Sequence, residues 1–219
     1  MLTRRDLLRA GGLWLAGLAG PRVAAAAGAG SVVEIRMKSD ARGEHVSFDP
    51  VGVWIRPGQT LRWVMDSPGN PHTTTAYHPR NANHSLRIPE EATPWDSGFL
   101  VDPGSRFEVT LTVEGVYDYF CLPHEGAGMV GRIVVGRPRG PGTLPFDYFV
   151  GRAGTRDWRS VPPAAQQRFP AVEDIMRQKI VHGTFTGYAD FLRRHDRASP
   201  SSARISRCPV RCPPTRESW

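Results

Sequence analysis

Cysteine is nearly missing from this chain: there are three in 219 residues, and two of them, Cys208 and Cys212, stand close to the C-terminus. Cys121 is therefore the one thiol in the body of the protein, too few for the paired thiolates that structural zinc usually recruits. Long apolar runs are also missing. The longest, Ala10 to Gly20, is short and Gly-rich for a permanent membrane span, and no stable membrane insertion is expected. Positive charge is scarce where a nucleic-acid reader would need it. Residues 28–136 hold nine Lys+Arg against thirteen acids, whereas 1–27 hold four Arg against one acid and 137–219 hold fifteen against seven. The net charge of +7 thus belongs to the two ends, and no stacking aromatics alternate with the basic residues, which excludes a nucleic-acid footprint. No nucleophile paired with a general base stands out either, so an enzyme is not expected.

What is present begins with an address. Thr3-Arg4-Arg5-Asp6-Leu7-Leu8-Arg9 precedes the apolar run, and Val23 to Ala27 follows it as a small-residue stretch. Charged start, apolar middle and Ala-rich end make residues 1–27 a signal peptide, with the mature start expected between Ala26 and Ser31. The paired arginines before Leu-Leu resemble the bacterial twin-arginine signal, and an ordinary secretory signal would lead to the same compartment, the periplasm. The rest divides into a domain over 28–136 and a basic extension over 137–219.

The domain reads as β. Val32–Met37, Thr60–Met65 and Arg106–Val113 alternate apolar with polar, Val51–Ile55 ends at the Pro57-Gly58 turn, and Val116–Phe120 and Arg132–Val135 complete the set. Short strands with Gly and Pro punctuation and no helical period between them predict an all-β sandwich of seven to eight strands. Residues 76–104 form a long irregular connection carrying His78 and His84; loops of that length in compact domains are usually functional or covered. These two histidines, with His45, His182 and His195, are read as ordinary residues. In the extension, Phe169–Ile180 has a helical period with acids before bases, Ala164–Arg168 suggests a further turn, and the Ser/Pro/Arg composition from Arg197 predicts disorder.

One run stands apart: Cys121-Leu122-Pro123-His124-Glu125-Gly126-Ala127-Gly128-Met129. Two residues between Cys121 and His124 let a strand end turn a corner, and the Gly-rich spacer lets the loop reverse and bring Met129 back over the same point. With His72 upstream, the donors are a thiolate, two imidazoles and a thioether. That soft set is the one a type 1 copper centre uses, and the thioether weighs against zinc.

Gly115 to His124, followed by Met129-Val-Gly-Arg-Ile-Val-Val135, resembles the plastocyanin, pseudoazurin and amicyanin group of cupredoxins, and Asn70-Pro71-His72 is similar to the segment holding that group's first His ligand. The resemblance covers about residues 32 to 136. It implies a Greek-key cupredoxin sandwich, one copper ion cycling between Cu(I) and Cu(II), and His72, Cys121, His124 and Met129 as its ligands. It also implies a monomeric one-electron carrier serving a redox protein such as a cytochrome, an oxidase or a dehydrogenase. Electrons would pass through the exposed edge of the second His, inside an apolar patch of Leu122, Pro123, Ala127 and Val130. Two positions depart from the group. Thr73 stands where Asn follows the first His, and its hydroxyl can take over the hydrogen bond; Phe120 replaces the Tyr that gives plastocyanins a second electron route. Copper enzymes built on this fold pass electrons through histidines beside the Cys, and here the neighbours are Phe120 and Leu122. Copper storage or delivery is the alternative reading of the same ligands.

Overall fold

Alternation decides the first sheet. In Val32–Ser39 (β1) the side chains of Ile35 and Met37 are buried while Glu34 and Arg36 face out, and in Gln59–Met65 (β4) Leu61, Trp63 and Met65 turn inward. Period two puts alternate side chains on one face. The computed structural model describes residues 31–40, 45–66 and 69–183. The expected signal peptide, His195, the Ser/Pro/Arg tail and Cys208 with Cys212 lie outside the described residues.

Seven further strands complete two sheets: Val46–Asp49 (β2), Gly52–Ile55 (β3), Thr75–Ala76 (β5), Arg106–Leu111 (β6), Gly115–Phe120 (β7), Val130–Val135 (β8) and Ile180–Val181 (β9). The first sheet runs β2-β1-β4-β6 and the second β5-β7-β8-β3-β9. Two pairings are parallel, β1 with β4 and β3 with β8, so the chain passes repeatedly from one sheet to the other. This is the expected sandwich. Its core joins Ile35, Met37, Leu61 and Trp63 of one sheet to Val53, Ile55, Tyr119 and Ile133 of the other. Trp63 lies at its aromatic centre, with Tyr119 edge-on at 5.3 Å and Trp95, from the long loop, at 5.7 Å.

β7 and β8 are buried along their whole length rather than alternately. The reason is a third layer, since a strand covered on both faces has no solvent side to mark. Residues after 136 fold back over the outer face of the second sheet. Val161 and Ala165 pack with Tyr77, Phe120 and Val130, while Ile175 packs with Val116 and Val134. Two short helices, Pro163–Gln166 (α1) and Val172–Gln178 (α2), carry Ala165 and Ile175, and Val161 stands just before the first. The second is the helix expected over 169–180, trimmed at both ends; Lys179, at φ 68, turns the chain out of the helix and into β9, which pairs antiparallel with β3. Gly52 in β3 permits the approach, because a Cβ there would sit 2.8 Å from Ile175 Cγ1.

Ions anchor this layer. Asp118 of β7 accepts from Arg87 Nε at 2.7 Å and from Arg132 Nε and Nη2 at 2.7 and 3.0 Å. The remaining guanidinium nitrogens donate to backbone carbonyls of the extension: Arg87 to Gly142 and Leu144, Arg132 to Pro170. All three ions are buried, and the two arginines each join Asp118 of the sandwich to carbonyls of the extension.

Candidate metal centre

Three chain segments meet at one end of the sandwich. His72 lies just before β5, its backbone tied to Leu100 of the long loop by two hydrogen bonds of 3.1 and 2.8 Å. Cys121 follows β7 directly. Its N–H donates to the Met129 carbonyl at 3.0 Å, and the Met129 N–H donates to the His124 carbonyl at 3.1 Å. Between them a single 3-10 turn, Glu125–Ala127, reverses the chain. Gly128 closes it at φ 84, a left-handed value that favours glycine; Gly126 does not adopt one, so only one of the two expected glycines carries the reversal.

This architecture brings His72, Cys121 and His124 together, with their donor atoms all within 4.8 Å of one another. Cys121 Sγ lies 3.3 Å from His124 Nδ1 and 3.6 Å from His72 Nδ1, and the two Nδ1 atoms are 3.1 Å apart. Among the described residues no other group of three His, Cys or carboxylate side chains is so arranged. Met129 is fully buried in the same core cluster as Cys121, and its backbone closes the hairpin beside both Cys121 and His124. His78 is elsewhere, its Nδ1 accepting from the Arg80 N–H. His45 and His182 face Asp40 and Asp49 at the surface.

Each donor is held by a second residue. His72 Nε2 lies 2.7 Å from Ser39 Oγ at the end of β1, and Ser39 Oγ in turn accepts from Asn70 Nδ2 at 3.2 Å. With its proton on Nε2, His72 presents a lone pair on Nδ1 toward the sulfur. The Thr73 N–H donates to Cys121 Sγ at 3.3 Å. Thr73 Oγ1 accepts from the Leu122 N–H at 2.8 Å and contacts Thr75 Oγ1, which donates to Asp96. The hydroxyl that replaces Asn therefore does bond the ligand hairpin.

Electrostatics favour the neutral forms. Burial, with a smaller repulsion from His124, pulls the His72 pKa down to about 4, and burial lowers that of His124 as well. Burial pushes the Cys121 thiol up to about 11, against the Thr73 hydrogen bonds, which favour the thiolate. Both imidazoles are thus uncharged at neutral pH, each with one ring nitrogen able to ligate, and the sulfur becomes an anion only when a cation compensates it. Contacts of 3.1 to 3.6 Å link the three atoms to one another, and the set they form, one sulfur and two ring nitrogens, is a soft one. A soft cation among them would accept from all three, so the cluster fits a type 1 copper site.

Sequence spacing marks neither Ser39 nor Tyr77 as part of the site and reads His84 as an ordinary loop residue, yet Tyr77, His84 and Glu125 form a buried trio beside the hairpin. The one available hint was a carboxylate, Glu125, inside an otherwise uncharged Gly-rich run, which turns out to be buried.

Residues 35–136 match the model of copper binding proteins of the plastocyanin/azurin family. The chain is similar to chloroplastic plastocyanin of Hordeum vulgare, 35% identical over 120 residues that span 52% of this chain and 72% of that protein. It is likewise similar to the chloroplastic plastocyanin of Chlamydomonas reinhardtii, 33% identical over 58% of this chain and 86% of the relative. Among solved structures, native pseudoazurin from Hyphomicrobium denitrificans aligns at 27% identity over 49% of this chain and 77% of its own, with a TM-score of 0.38.

Proposed function

The chain belongs to the plastocyanin/azurin family of copper-binding proteins, a cupredoxin, and from that premise we propose that it is an exported one-electron carrier. The observation that carries this reading is the convergence of His72, Cys121 and His124 at one end of the sandwich, the first two buried and the third half-buried. In this reading residues 28–136 are the copper domain and 137–219 its extension, behind a leader over 1–27. His72, Cys121, His124 and Met129 are the ligands. Bound there, copper supplies a Cu(I)/Cu(II) couple.

The protein's part is preorganisation. Cys121 offers the sulfur, kept in place by the Thr73 N–H. His72 is fully enclosed and oriented by Ser39, whereas His124 is partly exposed and forms the route out. Exposed Leu122 beside it offers an apolar surface on which a redox protein docks briefly. Because the ligands are braced by backbone and hydroxyl bonds, little must rearrange when the charge changes, which suits fast electron transfer. The flanking residues Phe120 and Leu122 offer no imidazole toward a further copper, in keeping with a carrier rather than an enzyme. No helix among the described residues is long and apolar enough to cross a membrane.

The test is to load the full chain with copper and record its visible spectrum and voltammetry. An intense sulfur-to-copper band with reversible one-electron reduction supports the carrier. A colourless protein that holds only Cu(I) would turn the reading to copper handling.

A further inference from the structure

His84, left aside as a loop histidine, grips the ligand hairpin from outside. It is fully buried. Its ring stacks on Phe120, the residue before Cys121, with centroids 4.4 Å apart and planes at 30°. Its Nε2 lies 3.0 Å from Oε2 of Glu125, the residue after His124. Its Nδ1 faces the Asn81 carbonyl at 2.8 Å, and the Tyr77 hydroxyl donates to the other Glu125 oxygen at 2.7 Å. One ring therefore touches both ends of the Cys121–His124 span.

The same residue is strapped to the extension. His84 forms an isolated β-bridge with Arg159; the Arg159 N–H donates to the Asn83 carbonyl at 2.6 Å and the Ser85 N–H to the Arg159 carbonyl at 3.0 Å. Close by, the extension abuts the hairpin directly. A Cβ on Gly128 would meet Arg168 Cγ at 2.8 Å and the Ala164 carbonyl at 3.3 Å. The family match ends at residue 136, so this strap is made by chain outside the matched segment. A buried imidazole–carboxylate contact is a poor device for stability alone, since well-packed apolar side chains of the same volume do as well or better. Its directional bonds are suited to fixing a backbone.

We propose that His84 is a positioning residue through which the C-terminal extension holds the hairpin from Phe120 to Glu125, and so sets the separation of Cys121 Sγ and His124 Nδ1. The proposal rests on the reading of His72, Cys121 and His124 as copper ligands. Three variants of the full chain test it. His84→Phe keeps a ring on Phe120 and removes the bonds to Asn81 and Glu125; Glu125→Gln keeps the shape and weakens only the second; His84→Gln keeps a donor toward Glu125. The readouts are the visible spectrum and reduction potential at equal copper loading, and amide exchange of residues 121–129 in the metal-free chain. His84→Phe and Glu125→Gln are each expected to move the band and the potential and to speed hairpin exchange about tenfold. The double variant should move them no further than one alone, because the two act through one contact. His84→Gln should recover part of the change. Folded variants with the native spectrum, potential and exchange would overturn the proposal, as would shifts that add in the double variant. If the native chain shows no blue band, the ligand reading fails, and hairpin exchange in the metal-free variants still decides the role of His84. If His84→Phe does not fold, Tyr77→Phe, which removes one bond to Glu125, decides by the same readouts.

Discussion

Two buried polar clusters hang on the same strand, β7, and they could hardly be more different. At Asp118 in its middle, two guanidinium groups meet one carboxylate, and every guanidinium nitrogen finds an acceptor. At Cys121, just past its end, two imidazoles and a thiol, with no opposite charge among them, converge within 3.6 Å of one another. Buried polar groups are normally paired. A cluster that completes itself is therefore scaffold, and here it fastens the extension to the sandwich. A cluster of soft donor atoms that converge on one point without charge pairing is a place for a metal ion.

The comparison breaks most sharply at Asp118. Asp118→Ala leaves Arg87 and Arg132 buried without their anion, and a loss of about 3–5 kcal/mol is expected from denaturant unfolding. Limited proteolysis should then cut first in the extension. A loss under about 1 kcal/mol would mean that the cluster does not anchor it.

The ligand end predicts a smaller, pH-dependent loss in the metal-free protein. His72 has its pKa lowered to about 4 in the folded chain, against an ordinary value of 6.5. The unfolded chain therefore takes up this proton first as pH falls. The contribution of His72 is complete above about 6.5 and is lost progressively between 6.5 and 4, by on the order of 1–3 kcal/mol after allowance for solvent screening at this end. Unfolding midpoints measured across that window should fall for the native chain and stay flatter for His72→Gln. Equal slopes would remove His72 as the cause.

A single hydrogen bond comes next. Thr73→Val deprives the Leu122 N–H of its acceptor and should cost about 1–2 kcal/mol in the metal-free chain. A neutral result would show that the hydroxyl in place of Asn is not holding the hairpin.

How much of this was legible beforehand follows from the range of the interactions. Strands such as Val32–Ser39 and Gln59–Met65 announced themselves by alternation, because one of their faces meets solvent. The span from Cys121 to Met129 announced itself because its donors are local in sequence. The short strands β2, β5 and β9 carry too few residues to show a period, and β7 and β8 hide theirs under the extension. The Arg87–Asp118–Arg132 cluster, the Ser39 brace on His72 and the His84–Glu125 contact join residues far apart along the chain. Nothing in composition or spacing marks such pairs; only the folded arrangement creates them. The extension is the largest such case, expected as a short helix and a tail, and found as a layer sealing the sheet through residue 181.

The central claim is that the His72–Cys121–His124 cluster takes one copper ion through its sulfur and two ring nitrogens. X-ray absorption at the copper edge, on the loaded native chain and on Cys121→Ser, tests it most directly. One short sulfur neighbour with two imidazole nitrogens in the native chain, and loss of that sulfur in a Cys121→Ser variant that still folds, is the predicted result. Copper with no such sulfur neighbour in the native chain, or an unchanged sulfur signal in the variant, would contradict it.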